Sequence, residues 1–91
     1  MNSAPDALKD EVKRAIVESL RLPIDVSEIE NGMSLFGEGL GLDSIDVLEL
    51  VLEMERRFGV SITDDETGQR VLRTVDTIAD FIMSERARKT A

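Results

Sequence analysis

Leu8, Val12, Ile16 and Leu20 recur every four residues, with Ala15 beside them, and Lys9, Asp10, Lys13, Arg14 and Glu18 fill much of the space between. This spacing predicts an amphipathic helix over about residues 5–21. Pro5 suits its first turn, where a missing N–H costs nothing, and Pro23 stops it. From Ile24 to Asp43 no period survives. Gly32, Gly37, Gly39 and Gly41 interrupt the stretch, and Val26, Ile29, Met33, Leu35, Phe36, Leu40 and Leu42 are scattered through it. A structureless loop of about 20 residues is unusual in a compact domain, so these apolar points predict a loop laid over the core. Ser27-Glu28-Ile29 fits a short helical turn within it.

Periodicity returns at Ser44 and predicts a second helix to Phe58, ended by Gly59. Asp46, Glu49, Glu53, Arg56 and Arg57 share one polar arc of it. The apolar arc of Ile45, Val47, Leu48, Leu50, Val51, Leu52, Met54 and Phe58 is wider than a surface helix needs, which predicts a central element covered on more than one side. Thr63-Asp64-Asp65-Glu66 is a helix-start signal for a short, soft helix near 65–72 that contains Gly68. Thr74 caps a last helix, with Val75, Ile78, Ala79, Ile82 and Met83 inward and Phe81 at its edge. The expected fold is all-α: a four-helix bundle of three longer helices and one short one, with a long loop between the first and second. One domain spans 1–91, and residues 1–4 and about 85–91 are expected to fray. No strand and no internal repeat is evident.

Composition narrows the chemistry. The chain of 91 residues has no histidine and no cysteine. It therefore lacks the commonest neutral-pH base and metal ligand, any thiol nucleophile and any disulfide. A self-contained hydrolase or zinc enzyme is not expected on those grounds, and neither is a catalytic group or a metal site. Asp64-Asp65-Glu66 lacks the alternating oxygen ligands and central glycine of a calcium loop. The net charge is −8, concentrated between Asp25 and Glu66, where twelve acidic and two basic side chains net −10. Such a surface repels nucleic acid and anionic lipid and attracts basic protein surfaces. Without a signal-like start or a spanning stretch, the expected location is cytoplasmic and stable membrane insertion is not expected.

Asp43-Ser44 can be read as a helix cap, since both residue types lead that preference. A cap explains the helix start. It does not explain why that start is embedded in glycines and apolar residues and followed by Asp46 and Glu49 on one face. A serine at a helix N-terminus is also exposed, and the free N–H groups there favour a phosphate. With no base in the chain to activate its hydroxyl, a reacting Ser44 is a substrate of another protein. A carrier of a covalently attached group and a regulatory phosphoserine both satisfy that condition.

The run Leu35-Phe36-Gly37-Glu38-Gly39-Leu40-Gly41-Leu42-Asp43-Ser44-Ile45-Asp46-Val47-Leu48-Glu49-Leu50 resembles the heart of acyl carrier proteins, whose signature is Gly-x-Asp-Ser-Leu/Ile with an acid two residues on. The resemblance continues through Glu53-Met54-Glu55-Arg56-Arg57-Phe58-Gly59 to Thr74-Val75, and back to Pro23-Ile24-Asp25, so it covers most of the chain. It implies that Ser44, flanked by Asp43, receives 4′-phosphopantetheine from coenzyme A. A phosphopantetheinyl transferase would supply Mg²⁺ and the catalytic groups. The cofactor thiol then carries an acyl chain as a thioester for fatty acid, polyketide or specialised lipid synthesis. It further implies a monomer that docks acyl-loading, condensing and acyl-transfer enzymes with basic surfaces. Asp46 and Glu49, with Ile45, Leu48 and Leu52, would form the docking face, extended by Glu53 and Glu55.

Gly39 stands where fatty-acid-synthesis members usually carry Asp, and Arg56 follows Glu55 where many continue with acid. The stretch from Ile62 to Val75 is longer than in the common bacterial form, and Gly68, Gln69 and Arg70 are unusual in it. A peptidyl carrier, a D-alanyl carrier and a helical interaction domain with Ser44 as a mere cap are the alternatives. Leu42-Asp43 argues against the first, and the retained Asp-Ser pair against the last. The departures point to a carrier specialised for a dedicated pathway. Weak complementation of a strain lacking its general fatty-acid carrier is the expected outcome, and efficient complementation would overturn that reading.

Overall fold

A computed structural model describes residues 4–37 and 39–90, the last two of them by backbone alone. The expected fraying of residues 1–3 and 91 lies outside the described residues. The helices are α1 (Asp6–Leu20), α2 (Ser44–Phe58), α3 (Asp65–Val71) and α4 (Val75–Thr90), and a 3₁₀ turn covers Val26–Glu28. α1 packs against α2 and α4, while the short α3 bridges α2 and α4. The Cα radius of gyration is 12.3 Å, matching the about 12 Å of a compact chain this long.

Local chemistry sets the boundaries. The carbonyl of Pro5 accepts the N–H groups of Leu8 and Lys9 at 3.0 and 3.1 Å, which opens α1. Its other end closes on Arg21 in the left-handed region (φ 51°). α2 closes on Gly59 at φ 68°, a conformation that a residue without Cβ adopts freely. Thr74 caps α4 reciprocally: its Oγ1 accepts the Thr77 N–H at 3.1 Å, and Thr77 Oγ1 accepts the Thr74 N–H at 3.0 Å.

The inward residues of three helices meet in one core. Val12 and Ile16 of α1, Leu50 and Met54 of α2, and Val75, Ile78 and Ile82 of α4 are all fully buried. The long loop joins them through Ile29, Leu35 and Leu42, as its scattered apolar points predict. Two backbone bonds hold it over the α3–α4 junction: Leu35 N–H to the Arg73 carbonyl at 2.9 Å, and Asp76 N–H to the Asn31 carbonyl at 3.0 Å. Within the loop, a Cβ at Gly39 would run into the Ser34 carbonyl, which itself accepts the Leu40 N–H at 3.0 Å. That close approach leaves no room for a side chain at this position. The only β-type pairing among the described residues is an isolated Phe36–Leu42 bridge.

Ala4 is buried. α4 runs to Thr90, supported by an Arg88–Glu85 ion pair at 2.9 Å and by the Arg86 guanidinium 6.0 Å from the Phe58 ring centroid. One expectation needs correction: Met83 is exposed rather than inward, because Ile82 takes the last inward position and Met83 falls at the edge of the buried stripe. α2 is covered on two sides, by α1 and α3, in line with its wide apolar arc. It is not covered all round: Ile45, Leu48 and Leu52 are 74%, 65% and 59% exposed. These three lie roughly opposite Leu50 and Met54 on the helix. The wide apolar arc thus combines a core face with a bare stripe.

Truncating the two faces should therefore give different results. Met54→Ala should cost about 2–5 kcal/mol of stability, and Leu52→Ala should stay within about 0.5 kcal/mol. Urea unfolding followed by circular dichroism checks both, and equal losses would contradict the bare stripe.

Candidate functional site

The chain enters α2 through Gly41, at φ 77°, and the buried Leu42. Asp43 is extended, and its Oδ1 accepts the N–H groups of Ile45 and Asp46, each at 3.0 Å. In return, Asp46 Oδ2 accepts the Asp43 N–H at 3.0 Å. This reciprocal cap satisfies the first amide donors of the helix with carboxylates, which also suit the positive end of the helix dipole. Ser44, the first helical residue, takes no part in it. Its side chain is exposed, and its hydroxyl has no hydrogen-bond partner among the described residues. Asp43 is thus the cap, and the Ser44 side chain is not needed for it.

Ser44 borders a groove of about 700 Å³ between α2 and α3. Phe36, Leu42, Val47, Leu48, Val51, Ile62 and Gly68 give it an apolar lining. Asp43, Ser44, Thr63, Asp64, Asp65 and Gln69 supply the polar lining. The volume lies within the range of small-molecule pockets. At Gly68 a Cβ would stand 3.5 Å from Ile62 Cγ2 and 3.7 Å from Val51 Cγ2, so the glycine leaves the lining open at that point. Asp64 starts α3 by accepting the Thr67 N–H at 2.6 Å. That bond holds its carboxyl below the usual range, so its support of α3 is complete at neutral pH and is lost as pH falls through the lowered value.

The residues singled out from the sequence fall into two sets. Ile45, Leu48, Leu52, Glu49 and the half-buried Asp46 lie on or beside the outward face of α2. Glu53 does not join them. It is buried, and its carboxylate takes Arg56 Nη2 at 2.8 Å and Arg57 Nε at 3.0 Å. Arg57 also reaches Glu18 of α1 at 2.7 Å, joining the two helices and pushing its own pKa further up. Glu55 is half-buried and accepts the Ile62 N–H at 2.9 Å, which ties the α2–α3 connection to α2. Both acids serve the fold, and the three- and four-residue spacing of Glu53 from Arg56 and Arg57 was the available sign. Of the groove lining, Gly68 and Gln69 were marked in the sequence as unusual residues of the third helix, whereas Val47, Val51, Ile62, Thr63 and Asp64 carried no signal of a site.

The family model for the phosphopantetheine attachment site matches residues 10–82. The acyl carrier protein of Nitratidesulfovibrio vulgaris (strain DP4) is 35% identical over 79 residues, covering 87% of this chain and 97% of that one. That of Sulfurovum sp. (strain NBC37-1) is 41% identical over 76 residues, covering 84% and 95%. The chain belongs to the acyl carrier protein family. The acyl carrier protein of Chlamydia caviae is similar as well, 40% identical over 76 residues, with 84% of this chain and 92% of the relative covered. Membership makes the chain a phosphopantetheine-bearing acyl carrier, modified and served by partner enzymes rather than catalytic itself. The reading as a helical domain that carries nothing is thereby set aside. No helix among the described residues is long and apolar enough to cross a membrane.

The cap geometry assigns opposite roles to adjacent residues. Asp43→Ala should lose about 0.5–2 kcal/mol of stability, while Ser44→Ala should change it by less than about 0.5 kcal/mol. Urea midpoints compare them, and an equal loss for Ser44→Ala would make the serine structural.

Proposed function

We propose that Ser44 Oγ is the attachment point of 4′-phosphopantetheine. The supporting observation is an exposed hydroxyl, with no hydrogen-bond partner among the described residues, beside a neighbour that has taken over the capping. A hydroxyl engaged at the helix end would have to break a bond before reacting, and this one does not. The chain supplies no base, so the transferase must remove the hydroxyl proton and orient coenzyme A. The group, once bound, supplies the thiol on which an acyl chain travels.

The bare stripe Ile45-Leu48-Leu52, with Asp46 and Glu49 alongside, is the docking face for partner enzymes. Large apolar side chains in a row on a −8 chain need a partner to cover them, and the flanking acids select a basic one. Glu53 and Glu55 do not belong to this face, because Arg56, Arg57 and the Ile62 amide occupy their carboxylates. The groove beside Ser44 receives the acyl chain, with Leu48 shared between groove and docking face.

One experimental series tests this reading. Incubation with coenzyme A, Mg²⁺ and a promiscuous phosphopantetheinyl transferase should add one phosphopantetheinyl group to the intact mass. Ser44→Ala should add none. The modified protein loaded with a long acyl chain should then melt above its unacylated form. Failure of the mass gain in folded protein would remove the attachment at Ser44. Equal melting temperatures would place the cargo outside the groove.

A further inference from the structure

The bare face of α2 does not end in acid. Ile45, Leu48, Leu52 and Arg56 follow one another at three- or four-residue spacing, so they share one side of the helix. All four are exposed, the Arg56 side chain at 79%. Its partner Glu53 lies beneath it, with a side chain only 10% exposed, and divides its carboxylate between Arg56 and Arg57. Arg57 is turned aside toward Glu18, its side chain 28% exposed against 79% for Arg56. What this end of α2 presents outward is therefore the Arg56 guanidinium. Read away from Ser44, the face runs from acid (Asp46, Glu49) across an apolar stripe to a cation. At helical rise, Arg56 lies about 10 Å beyond Glu49 and about 18 Å beyond Ser44.

We infer that Arg56 selects among partner enzymes. The face fits an enzyme that sets basic groups against Asp46 and Glu49 and, about 10 Å further along, a carboxylate or neutral polar group against Arg56. A docking surface that is basic along its whole length meets a like charge at Arg56 and is disfavoured, since mismatched charge across an interface lowers the encounter rate and suppresses wrong partners. The inference rests on α2 being the docking face proposed above. It adds a repulsive element to that face, and so a reason for the chain to refuse enzymes that serve carriers with a uniformly acidic α2.

The test uses the full chain and a phosphopantetheinyl transferase whose docking surface is basic throughout. The kcat/KM for modification is read from intact-mass time courses for the wild type, Arg56→Gln and Arg56→Glu. Circular dichroism confirms that each is folded, with Arg57 left to hold Glu53. At low salt, Arg56→Glu should exceed the wild type about 3- to 10-fold, with Arg56→Gln between them. At about 0.5 M salt, where exposed charges are screened, the three should converge. Equal rates at low salt, a slower Arg56→Glu, or a gain that survives high salt would overturn the inference while leaving attachment at Ser44 intact. No modification of any variant would remove the attachment reading and this inference with it. Sedimentation of the wild type showing a dimer that Arg56→Glu abolishes would give the face to a second copy of the chain, and would overturn the inference as well.

Discussion

The reciprocal hydrogen bonds between Asp43 and Asp46 determine how the start of α2 is used. A helix begins with amide donors that lack intrahelical acceptors. Here one carboxylate takes two of them, and a second carboxylate takes the amide of the residue that supplies the first. With these donors satisfied from either side, the side chain between is not required by the fold. Ser44 can be exposed and unbonded without loss of helix. Had Ser44 been the cap, its modification would unmake the turn that presents it. Stability and availability are thus assigned to neighbouring residues.

α2 serves four surroundings at once, and their order around the helix explains its composition. Leu50, Met54 and Phe58 enter the core. Arg57, paired with Glu53 on its own helix, reaches Glu18 of α1. Val47 and Val51 border the groove toward α3, and Ile45, Leu48 and Leu52 are left bare. Glu53 is acceptable inside only because two guanidiniums reach it, as an unpaired buried carboxylate would be costly.

The long loop contributes order without regular structure. Its amides and carbonyls find acceptors and donors at the α3–α4 junction, through Leu35 with Arg73 and Asn31 with Asp76. Ile29, Leu35 and Leu42 insert into the core at intervals too irregular for a helix. Its closest internal approach, Gly39 over the Ser34 carbonyl, admits no side chain, so the glycine there answers a packing demand. By joining the start of α4 to the start of α2, the loop sets the place of Asp43 and Ser44 beside the groove.

What the sequence by itself determined was local. The period of Leu8, Val12, Ile16 and Leu20, the caps at Asp43, Asp64 and Thr74, and the stops at Pro23 and Gly59 specify the helices and their order, because such signals act within a turn or two of the chain. The Asp43-Ser44 pair marked the start of α2 for the same reason. Tertiary structure decided which apolar residues are buried. Nothing in the pattern of α2 separates Leu52 from Met54, yet one is bare and the other is core, since burial depends on where α1 and α3 lie. Nor does residue type separate Glu49 from Glu53. Only the approach of α1, bringing Glu18 to Arg57, turns one acid into an internal partner and leaves the other on the surface. The groove, assembled from the loop, α2 and α3, exists only when distant segments meet.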